Sequence, residues 1–407
     1  MGEKHADSRP RGALSVLVAG GGVAAFEATL ALRALAEERV SVELLSPDPR
    51  FWYRPLAVVE PFGIGQLHGI ELVELAGAAG AAFTLGALAS VDPARHLAIT
   101  AAGAEFEYGV LLVASGAKPV PAVPGAFTFR GPADSGALGA LLTELESGSV
   151  RQLVFALPGG AAWPLPLYEL ALLTAAFLAR RGIEGVELTL VTPEDAPLRL
   201  FGSTASTAVS RLLEERGVSL LTGRSPVSVE DGRLALAPNG SVAADRVIAL
   251  PRLWGERITG LPANPHGFIP TDPHGRVKGV EDVFAAGDVT AFPIKQGGIA
   301  AQQALAAAQT IAAKAGAVLT PQPFRPILRG LLLTGAAPAY LRAELAGGAG
   351  DTSAAETEAL WWPPGKIVGH YLSPFLAEYA GIVITPPEGV DAVRVEVDLS
   401  GEEGSSA

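Results

Sequence analysis

The stretch from Leu14 to Ala25 reads LSVLVAGGGVAA and decides the fold. Its first half is an apolar run typical of a parallel strand buried on both faces, and we expect a helix from about Val23 to Glu38. Gly20 permits a tight turn, Gly22 lets a phosphate approach the backbone, and Ala25 is small enough for close packing of helix and strand. The stretch therefore predicts a pyrophosphate-binding turn, with a turn that binds nothing as the alternative.

The amides at the start of this helix, Val23, Ala24 and Ala25, are expected to face the phosphate, because a helix N-terminus favours negative charge. Such motifs place an acidic residue at the end of the next strand, where it holds a ribose hydroxyl. Here that position falls on Ser46, which can still make one hydrogen bond. Glu43 is expected to face away from the ribose, and Asp48 is the candidate substitute.

Two further motifs lie downstream. Leu111 to Gly116 reads LLVASG, a buried strand followed by Ser115 and Gly116. Val283 to Val289 reads VFAAGDV, a strand that ends in the Gly287–Asp288 step. For Asp288 the structural alternative is a helix N-cap, a position that aspartate also favours.

The composition of the chain makes several classes of function improbable. The chain has 407 residues, a net charge of −12 and no cysteine. An acidic chain repels nucleic-acid backbones, and the absence of cysteine excludes redox chemistry by a thiol pair. None of the six histidines falls in a metal-ligand spacing, so no metal site is predicted. We find neither a signal peptide nor an uninterrupted apolar run of about 20 residues, so a cytoplasmic location is expected.

Lys118 to Gly125 reads KPVPAVPG, and its three prolines predict a linker out of the first domain. A second α/β unit begins near Arg151, with a helix predicted from Leu165 to Arg181 that carries Glu169. Its first turn, from Leu157 to Leu170, reads LPGGAAWPLPLYEL, so Trp163, Pro164 and Pro166 stand where phosphate-facing glycines are usual. Proline has no amide to offer a phosphate, and tryptophan hinders close approach to the backbone. Glu194-Asp195 is either a ribose-binding pair or a surface turn after Pro193, with the surface turn slightly favoured.

The element order predicts an α/β fold with two Rossmann-like dinucleotide-binding domains, the first of them split in sequence, plus a smaller C-terminal region. The predicted boundaries are 13–125 and 257–320 for the split domain, 126–256 for the second, and 321–398 for the C-terminal region. Residues 1–12 and 399–407 are expected to be flexible tails.

These motifs resemble the pyridine nucleotide–disulfide oxidoreductase superfamily of FAD-dependent proteins with two dinucleotide-binding domains. The resemblance covers about residues 14 to 320 and is nearest to type II NADH dehydrogenases and sulfide:quinone oxidoreductases. The residues that carry it are Gly20-Gly21-Gly22 with Glu27, Tyr53-Arg54-Pro55, Ala114-Ser115-Gly116-Ala117, Ala286-Gly287-Asp288 and Lys295-Gln296-Gly297 to Gln303. Ala-Ser-Gly replaces the family's usual Ala-Thr-Gly and keeps its hydroxyl.

The resemblance implies roles for the matched positions. Asp288 would accept a hydrogen bond from the flavin ribityl chain, and the catalytic candidates Lys295 and Gln296 would lie at the isoalloxazine edge. A cation there would stabilise reduced, anionic flavin; a solvated loop lysine is the alternative. The full set of implied cofactor-binding residues is Gly20, Gly22, Val23, Ala24, Ala25, Ser46, Arg54, Pro55, Ser115, Gly116, Gly287, Asp288 and Lys295.

The implied activity is electron transfer from NAD(P)H through FAD to a quinone or similar small acceptor. One alternative is a flavin oxidoreductase with a non-nicotinamide donor, because the second turn is degenerate. The other is a flavin-bearing interaction protein without turnover. A homodimer is expected, and peripheral membrane contact is allowed. In the aromatic segment from Trp361 to Tyr379, however, Pro363, Pro364 and Pro374 interrupt any long amphipathic helix. That segment is expected to pack over the flavin domain at an acceptor pocket or subunit interface, with ordinary core packing as the alternative.

Overall fold

The computed structural model describes residues 12–65, 69–344 and 353–381, and the structural statements below concern these residues. Apart from Gly12, the predicted flexible tails lie outside them. No helix in this part of the chain is long and apolar enough to cross a membrane.

The first region alternates short strands with two helices. Its elements are β1 (Leu14–Ala19), α1 (Val23–Ala36), β2 (Val40–Ser46), β3 (Arg50–Trp52), β4 (Gly69–Glu71), α2 (Leu72–Ala78), β5 (Ala82–Leu85), β6 (Leu88–Asp92), β7 (Leu97–Thr100), β8 (Glu105–Glu107), β9 (Val110–Val113) and β10 (Lys118–Val120).

The second region repeats the pattern with longer helices. Its elements are β11 (Phe127–Thr128), α3 (Ser135–Glu146), β12 (Gln152–Ala156), α4 (Leu165–Arg181), β13 (Glu187–Val191), α5 (Gly202–Glu215), β14 (Val218–Leu221), β15 (Ser225–Glu230), β16 (Arg233–Ala237), β17 (Ser241–Ala243), β18 (Arg246–Ala249) and β19 (Arg252–Trp254).

The remaining elements complete the first sheet and build the C-terminal region. They are β20 (Val283–Ala285), α6 (Gly297–Lys314), β21 (Ile327–Leu332), β22 (Ala339–Glu344), β23 (Ser353–Glu356) and α7 (Leu372–Tyr379).

Two parallel five-stranded sheets form the frame. The first has the order β20-β9-β1-β2-β5, so β20 returns from far along the chain to pair with β9. The second has the order β11-β18-β12-β13-β14. In each sheet the first strand of the α/β unit, β1 or β12, lies between two parallel neighbours, and ligands of such sheets bind at the carboxyl ends of strands at this point. The predicted fold class, two Rossmann-like units with the first split in sequence, is confirmed.

The C-terminal region is an antiparallel sheet of β21, β22 and β23 followed by α7. Leu328, Leu332 and Leu341 of this sheet belong to the same buried cluster as the core of the second unit. Leu372 at the start of α7 instead joins the core of the first unit, where α1 packs against α6. The C-terminal region is therefore packed against both units.

Two short strands connect the units. Lys118–Val120 and Arg252–Trp254 pair as an antiparallel ribbon, β10 with β19, where the chain leaves and re-enters the first unit. The proline-rich stretch predicted as a linker therefore begins with a paired strand. The exact domain boundaries stay a prediction.

Candidate functional site

The three glycines of the first turn differ in what surrounds them. Gly20 has φ +149°, and a Cβ added there would lie 2.2 Å from the carbonyl oxygen of Ala114, so the turn requires glycine. A Cβ added at Gly21 would lie 2.6 Å from Leu72 Cδ1. At Gly22 an added Cβ would meet no atom of the protein within 4 Å. Gly20 and Gly21 are therefore constrained by the fold itself, and Gly22 leaves its backbone accessible to a ligand.

The ribose end of the turn is polar but not acidic. Ser46 ends β2, and its Oγ exchanges hydrogen bonds with the backbone N–H and carbonyl of Asp48. The Asp48 carboxylate accepts from the backbone N–H of Arg50 and from Trp52 Nε1. Glu43 accepts from Thr84 Oγ1 on the neighbouring strand, away from the turn. Asp48 and Ser46 are thus both engaged in this loop, and Ser46 is the one beside the glycines, with its Oγ 2.8 Å from a Cβ added at Gly21.

The Gly-Asp motif packs directly against the start of α1. Gly287 has φ +82°, and a Cβ added there would lie 3.0 Å from the Cβ of Ala24. Its N–H donates to Gln303 Oε1 at 2.8 Å, and Thr290 Oγ1 donates to the same oxygen at 3.3 Å. The fold therefore brings both motifs together, and Gln303 holds the second one in place.

Asp288 and Lys295 are two charged side chains that lie close enough to influence each other's pKa. Lys295 is buried and Asp288 is half-buried. Burial raises the pKa of Asp288, and the charges of Lys295 and Arg54 oppose this shift. Burial also lowers the pKa of Lys295 to about 8, against the charge of Asp288. Lys295 Nζ donates to the carbonyl of Thr290 and lies 3.9 Å from the centroid of the Phe268 ring. Lys295 is therefore a buried cation rather than a solvated loop lysine.

Three more predicted positions flank the same site. Gln296 caps α6: its Oε1 accepts from Ile299 N–H at 2.8 Å, and its Nε2 donates to the carbonyl of Arg329. Ser115 is exposed after β9, and Gly116 has φ +77° with no protein atom within 4 Å of an added Cβ. Gln296 thus has a structural role as a cap, whatever it also does for a ligand.

A cavity of about 250 Å³ opens where the two units and the C-terminal region meet. Its walls come from the first unit, the second unit and the C-terminal region. They combine aromatic and aliphatic side chains with a few charged ones. The lining residues are Arg54, Pro55, Val58, Ala117 and Pro119 of the first unit; Phe129, Arg130, Gly131, Ala162, Trp163, Leu165, Pro166, Leu250, Pro251 and Leu253 of the second; and Asp288, Lys295, Gln296, Gly297, Gly330 and Lys366. Two wider grooves, of about 530 and 820 Å³, are lined by neither glycine-rich turn nor by Asp288.

One residue of the cavity lining, Lys366, belongs to the segment 361–373, called the C-terminal strap below. Lys366 Nζ donates to both carboxylate oxygens of Glu169 on α4 at 2.6 Å, and both side chains are buried. Ile367 N–H donates to Tyr53 Oη at 2.9 Å, and burial raises the pKa of Tyr53 to about 12. The strap is therefore fixed to both units. Of the aromatic segment, Tyr371 and Phe375 pack against the core of the first unit, and Trp361 packs against Tyr340 of β22.

The second turn has few backbone amides that could bind the phosphates of a dinucleotide. Pro164 and Pro166 flank the first residue of α4, where a phosphate would need amides. Trp163 fills the approach and packs edge-on against Phe201, with 5.8 Å between the ring centroids. Gly159 and Gly160 leave space for a displaced cradle, but Gly159 already accepts a hydrogen bond on its carbonyl from Arg252 Nε.

The acidic pair after β13 does not behave as a simple surface turn. Glu194 is half-buried and accepts from Tyr168 Oη at 2.7 Å and from Thr192 Oγ1 at 3.0 Å. Burial raises its pKa, and the hydrogen bonds from Tyr168 and Thr192 oppose this. The expected turn is present and Asp195 is exposed, but the Glu194 side chain is half-buried because Tyr168 reaches it from α4. Either way the Glu194 carboxylate is already bonded within the protein.

Sequence reasoning missed the Glu169–Lys366 pair. Glu169 was placed correctly on α4, but its partner lies 197 residues away. A signal was present, because Lys366 is the only lysine after Lys314. Gln303 was part of a matched segment without an assigned role, and its contact with Gly287 was not foreseen.

Comparison with known proteins agrees with this frame. A family model described as pyridine nucleotide-disulphide oxidoreductase matches residues 14–310. An NADH dehydrogenase-like protein of Mycobacterium tuberculosis is 30% identical over 235 residues, which is 54% of this chain and 58% of the relative. The chloroplastic/mitochondrial monodehydroascorbate reductase of Arabidopsis thaliana is 30% identical over 226 residues, 51% of this chain and 42% of the relative. The chain thus matches about half the length of these curated relatives.

Among solved structures, the sulfide:quinone oxidoreductase of Aquifex aeolicus superposes with a TM-score of 0.78 at 21% identity, covering 84% of this chain and 87% of that one. The NDH2 of Plasmodium falciparum in complex with NADH gives a TM-score of 0.56 at 15% identity over 68% of this chain and 64% of that one. At these identities the likeness concerns the fold. Together with the family model, which covers more than half of the chain, it settles the family: this chain belongs to the pyridine nucleotide-disulphide oxidoreductases.

Proposed function

We propose that this protein is an FAD-dependent oxidoreductase that passes electrons from a reduced donor to a quinone-like small acceptor. The observation that carries the proposal is the cavity between the units, because it joins Asp288 and Lys295 of the first unit to the apolar wall of the second. FAD, when bound, supplies the two-electron transfer that such a reaction requires.

The first unit has the parts that would hold FAD without covalent attachment. Gly22 and Gly116 leave backbone exposed with no protein atom near, as a cradle for pyrophosphate and flavin requires. The N-terminus of α1 favours the phosphate charge. Asp288 would accept a ribityl hydroxyl, and Lys295 would place positive charge beside the reduced ring. These residues therefore fit the cofactor.

The cavity wall suits a flat, weakly polar acceptor. Trp163, Phe129 and Leu250 supply apolar contact, as most small-molecule pockets do. Reducing a quinone to a hydroquinone takes up two electrons, which reduced flavin would supply, and two protons. Lys366 Nζ holds one proton at this wall in contact with Glu169, and solvent would supply the other. The pair is buried, so a proton given up there would have to be replaced through the cavity or the protein.

Two donors are candidates. NAD(P)H is supported by the names of the relatives, an NADH dehydrogenase-like protein and a reductase. A non-nicotinamide donor is supported by the second turn, where two prolines remove amides and Tyr168 bonds the Glu194 carboxylate. The residues of that turn do not fit a dinucleotide in the usual manner, so no step is assigned to one there.

Anaerobic mixing separates these candidates. Bleaching of the flavin band by NADH or NADPH at micromolar concentrations supports the nicotinamide donor. If neither bleaches it, but the dithionite-reduced protein is reoxidised by menadione, the second donor class is supported. A flavin that menadione cannot reoxidise contradicts the proposed acceptor and favours a flavin-bearing interaction protein. The proposed homodimer is checked by the mass of the protein in solution.

A further inference from the structure

Glu27 is a buried carboxylate that the proposed chemistry does not use. It lies on α1, one turn after the glycine-rich turn, and its side chain is fully buried. Among the described residues no lysine or arginine forms an ion pair with it. Its oxygens instead accept the backbone N–H groups of Tyr371 at 3.0 Å and Leu372 at 2.8 Å. A buried charge without a cation is costly, so these amides are its main compensation.

The amides belong to the start of α7, which has no side-chain cap of its own. The first N–H groups of a helix have no partner within the helix, and a carboxylate from another element satisfies them well. Gly369 is required for this approach, because a Cβ added there would lie 2.5 Å from Glu27 Oε2. Glu27 therefore caps a helix that lies 344 residues further along the chain.

The contact with Glu27 lies at one end of the C-terminal strap, and Lys366, which lines the cavity, lies near the middle of the strap. From Leu372 the strap runs back through a loop that Ser373 closes: its Oγ accepts from Gly369 N–H at 2.8 Å and donates to the carbonyl of Ile367 at 3.0 Å. The next residue back is Lys366, on the cavity wall. A shift at the Glu27 end would therefore reach Lys366 through this hydrogen-bonded loop.

We propose that Glu27 is a positioning residue that couples the pyrophosphate-binding helix to the acceptor cavity: its carboxylate fixes the strap, and the strap fixes Lys366 at the cavity wall. Because Glu27 lies on the same helix as the Ala24 and Ala25 amides, the cofactor site and the cavity wall share one rigid support. The part of this inference that concerns an acceptor rests on the proposed function.

Two variants of the full chain test the coupling from opposite sides. Glu27→Gln keeps the shape but removes one acceptor oxygen, and Gly369→Ala pushes the strap away from an intact Glu27. Thr29→Val is the matched control, since Thr29 is buried on the same helix and its hydroxyl bonds only to Ala25 within that helix. The readouts are FAD content, hydrogen exchange of the Ile367, Tyr371 and Leu372 amides, and reoxidation of the dithionite-reduced protein by menadione.

Both variants should retain FAD, because the glycine-rich turn is untouched. Measured at pH 8, where Glu27 with its pKa of about 7 is mostly ionised, exchange at Tyr371 and Leu372 should quicken about tenfold or more. This is the effect expected for loss of a charge-assisted hydrogen bond, and exchange at Ile367 should follow. The menadione concentration for half-maximal reoxidation should rise about tenfold, with a smaller change in the limiting rate. Thr29→Val should match the wild type in all three readouts.

Unchanged hydrogen exchange at Ile367 in both variants would overturn the coupling. So would a loss of FAD that parallels the rise in the menadione concentration for half-maximal reoxidation. If menadione fails to reoxidise even the wild type, the proposed function fails instead. In that case the exchange at Ile367 alone decides whether Glu27 positions the strap.

Discussion

Lys366 Nζ lies 2.6 Å from both carboxylate oxygens of Glu169, and the pair ties the C-terminal strap to helix α4 of the second unit. Both side chains are buried, and Glu169 also accepts from Leu333 N–H at 2.9 Å. Burial raises the pKa of Glu169, and the charge of Lys366 opposes this shift. The pair therefore joins the strap to the second unit, and it holds Lys366, one of the charged residues of the cavity wall.

Breaking this pair on one side should cost more than removing both charges. Lys366→Met leaves Glu169 buried without its cation, so the free energy of unfolding should fall by about 3 kcal/mol or more. Adding Glu169→Gln removes the stranded charge and keeps an acceptor for Leu333, so part of that loss should return. Urea unfolding of both single variants and the double variant measures the coupling, and additive effects would show that the two side chains do not interact.

Glu27 should leave a signature in the pH dependence of stability. Burial raises its pKa from 4.5 to about 7, against the hydrogen bonds from Leu372, Tyr371 and His370. The folded state therefore binds this proton more tightly than the unfolded state. The stabilisation that protonated Glu27 contributes is complete below pH 4.5 and is lost as the pH rises through about 7, amounting to about 3 kcal/mol.

The variant Glu27→Gln has no proton to lose at this position. The difference in the free energy of unfolding between the variant and the wild type should therefore change by about 3 kcal/mol in favour of the variant from pH 4.5 to pH 8. This change does not depend on which protein is more stable at the start. Denaturant unfolding across this range measures the difference, in which the other titrating groups cancel. Parallel curves would mean that Glu27 is not the perturbed group.

Gln303 should matter for cofactor binding although it need not touch the cofactor. Gln303→Met removes the acceptor of the Gly287 N–H and of Thr290 Oγ1 in the Gly-Asp motif. Loss of a buried hydrogen bond costs about 1 to 1.5 kcal/mol, so the Kd for FAD should rise about tenfold. Titration of the apoprotein with FAD measures it.

Gln302→Met is the matched control for this experiment. Gln302 is the next residue on the same helix, but its amide bonds to the backbone of Ile327 in the C-terminal region instead. Its variant should keep the wild-type Kd for FAD. Equal losses in both variants would assign the effect to the helix as a whole.

Local motifs made much of the fold predictable from the sequence. Gly20 must be glycine because of its φ and the Ala114 carbonyl, and both constraints arise within a single strand–turn–helix unit. The prolines of the second turn were equally informative, because a missing amide is a property of the residue itself. Helix α4, predicted from Leu165 to Arg181, has those bounds in the structure.

Contacts between distant segments could not be predicted in the same way. Glu27 meets the strap across 344 residues, and no short pattern links the two ends. The antiparallel sheet of β21, β22 and β23 was not foreseen, since its strands carry a mixed rather than an alternating pattern of burial. The partial burial of Glu194 has no local signal either, because it depends on Tyr168 from helix α4.

The central claim, an FAD pyrophosphate held at the first turn, is tested most directly by the flavin content of Gly22→Val against Gly77→Val. At both positions an added Cβ meets no protein atom within 4 Å, so neither substitution should disturb the fold. The account predicts that the wild type and Gly77→Val carry the flavin absorbance band in equal amount, while Gly22→Val is folded and colourless. A colourless wild type that binds no added FAD, or a Gly22→Val protein that retains the wild-type amount of flavin, would contradict it.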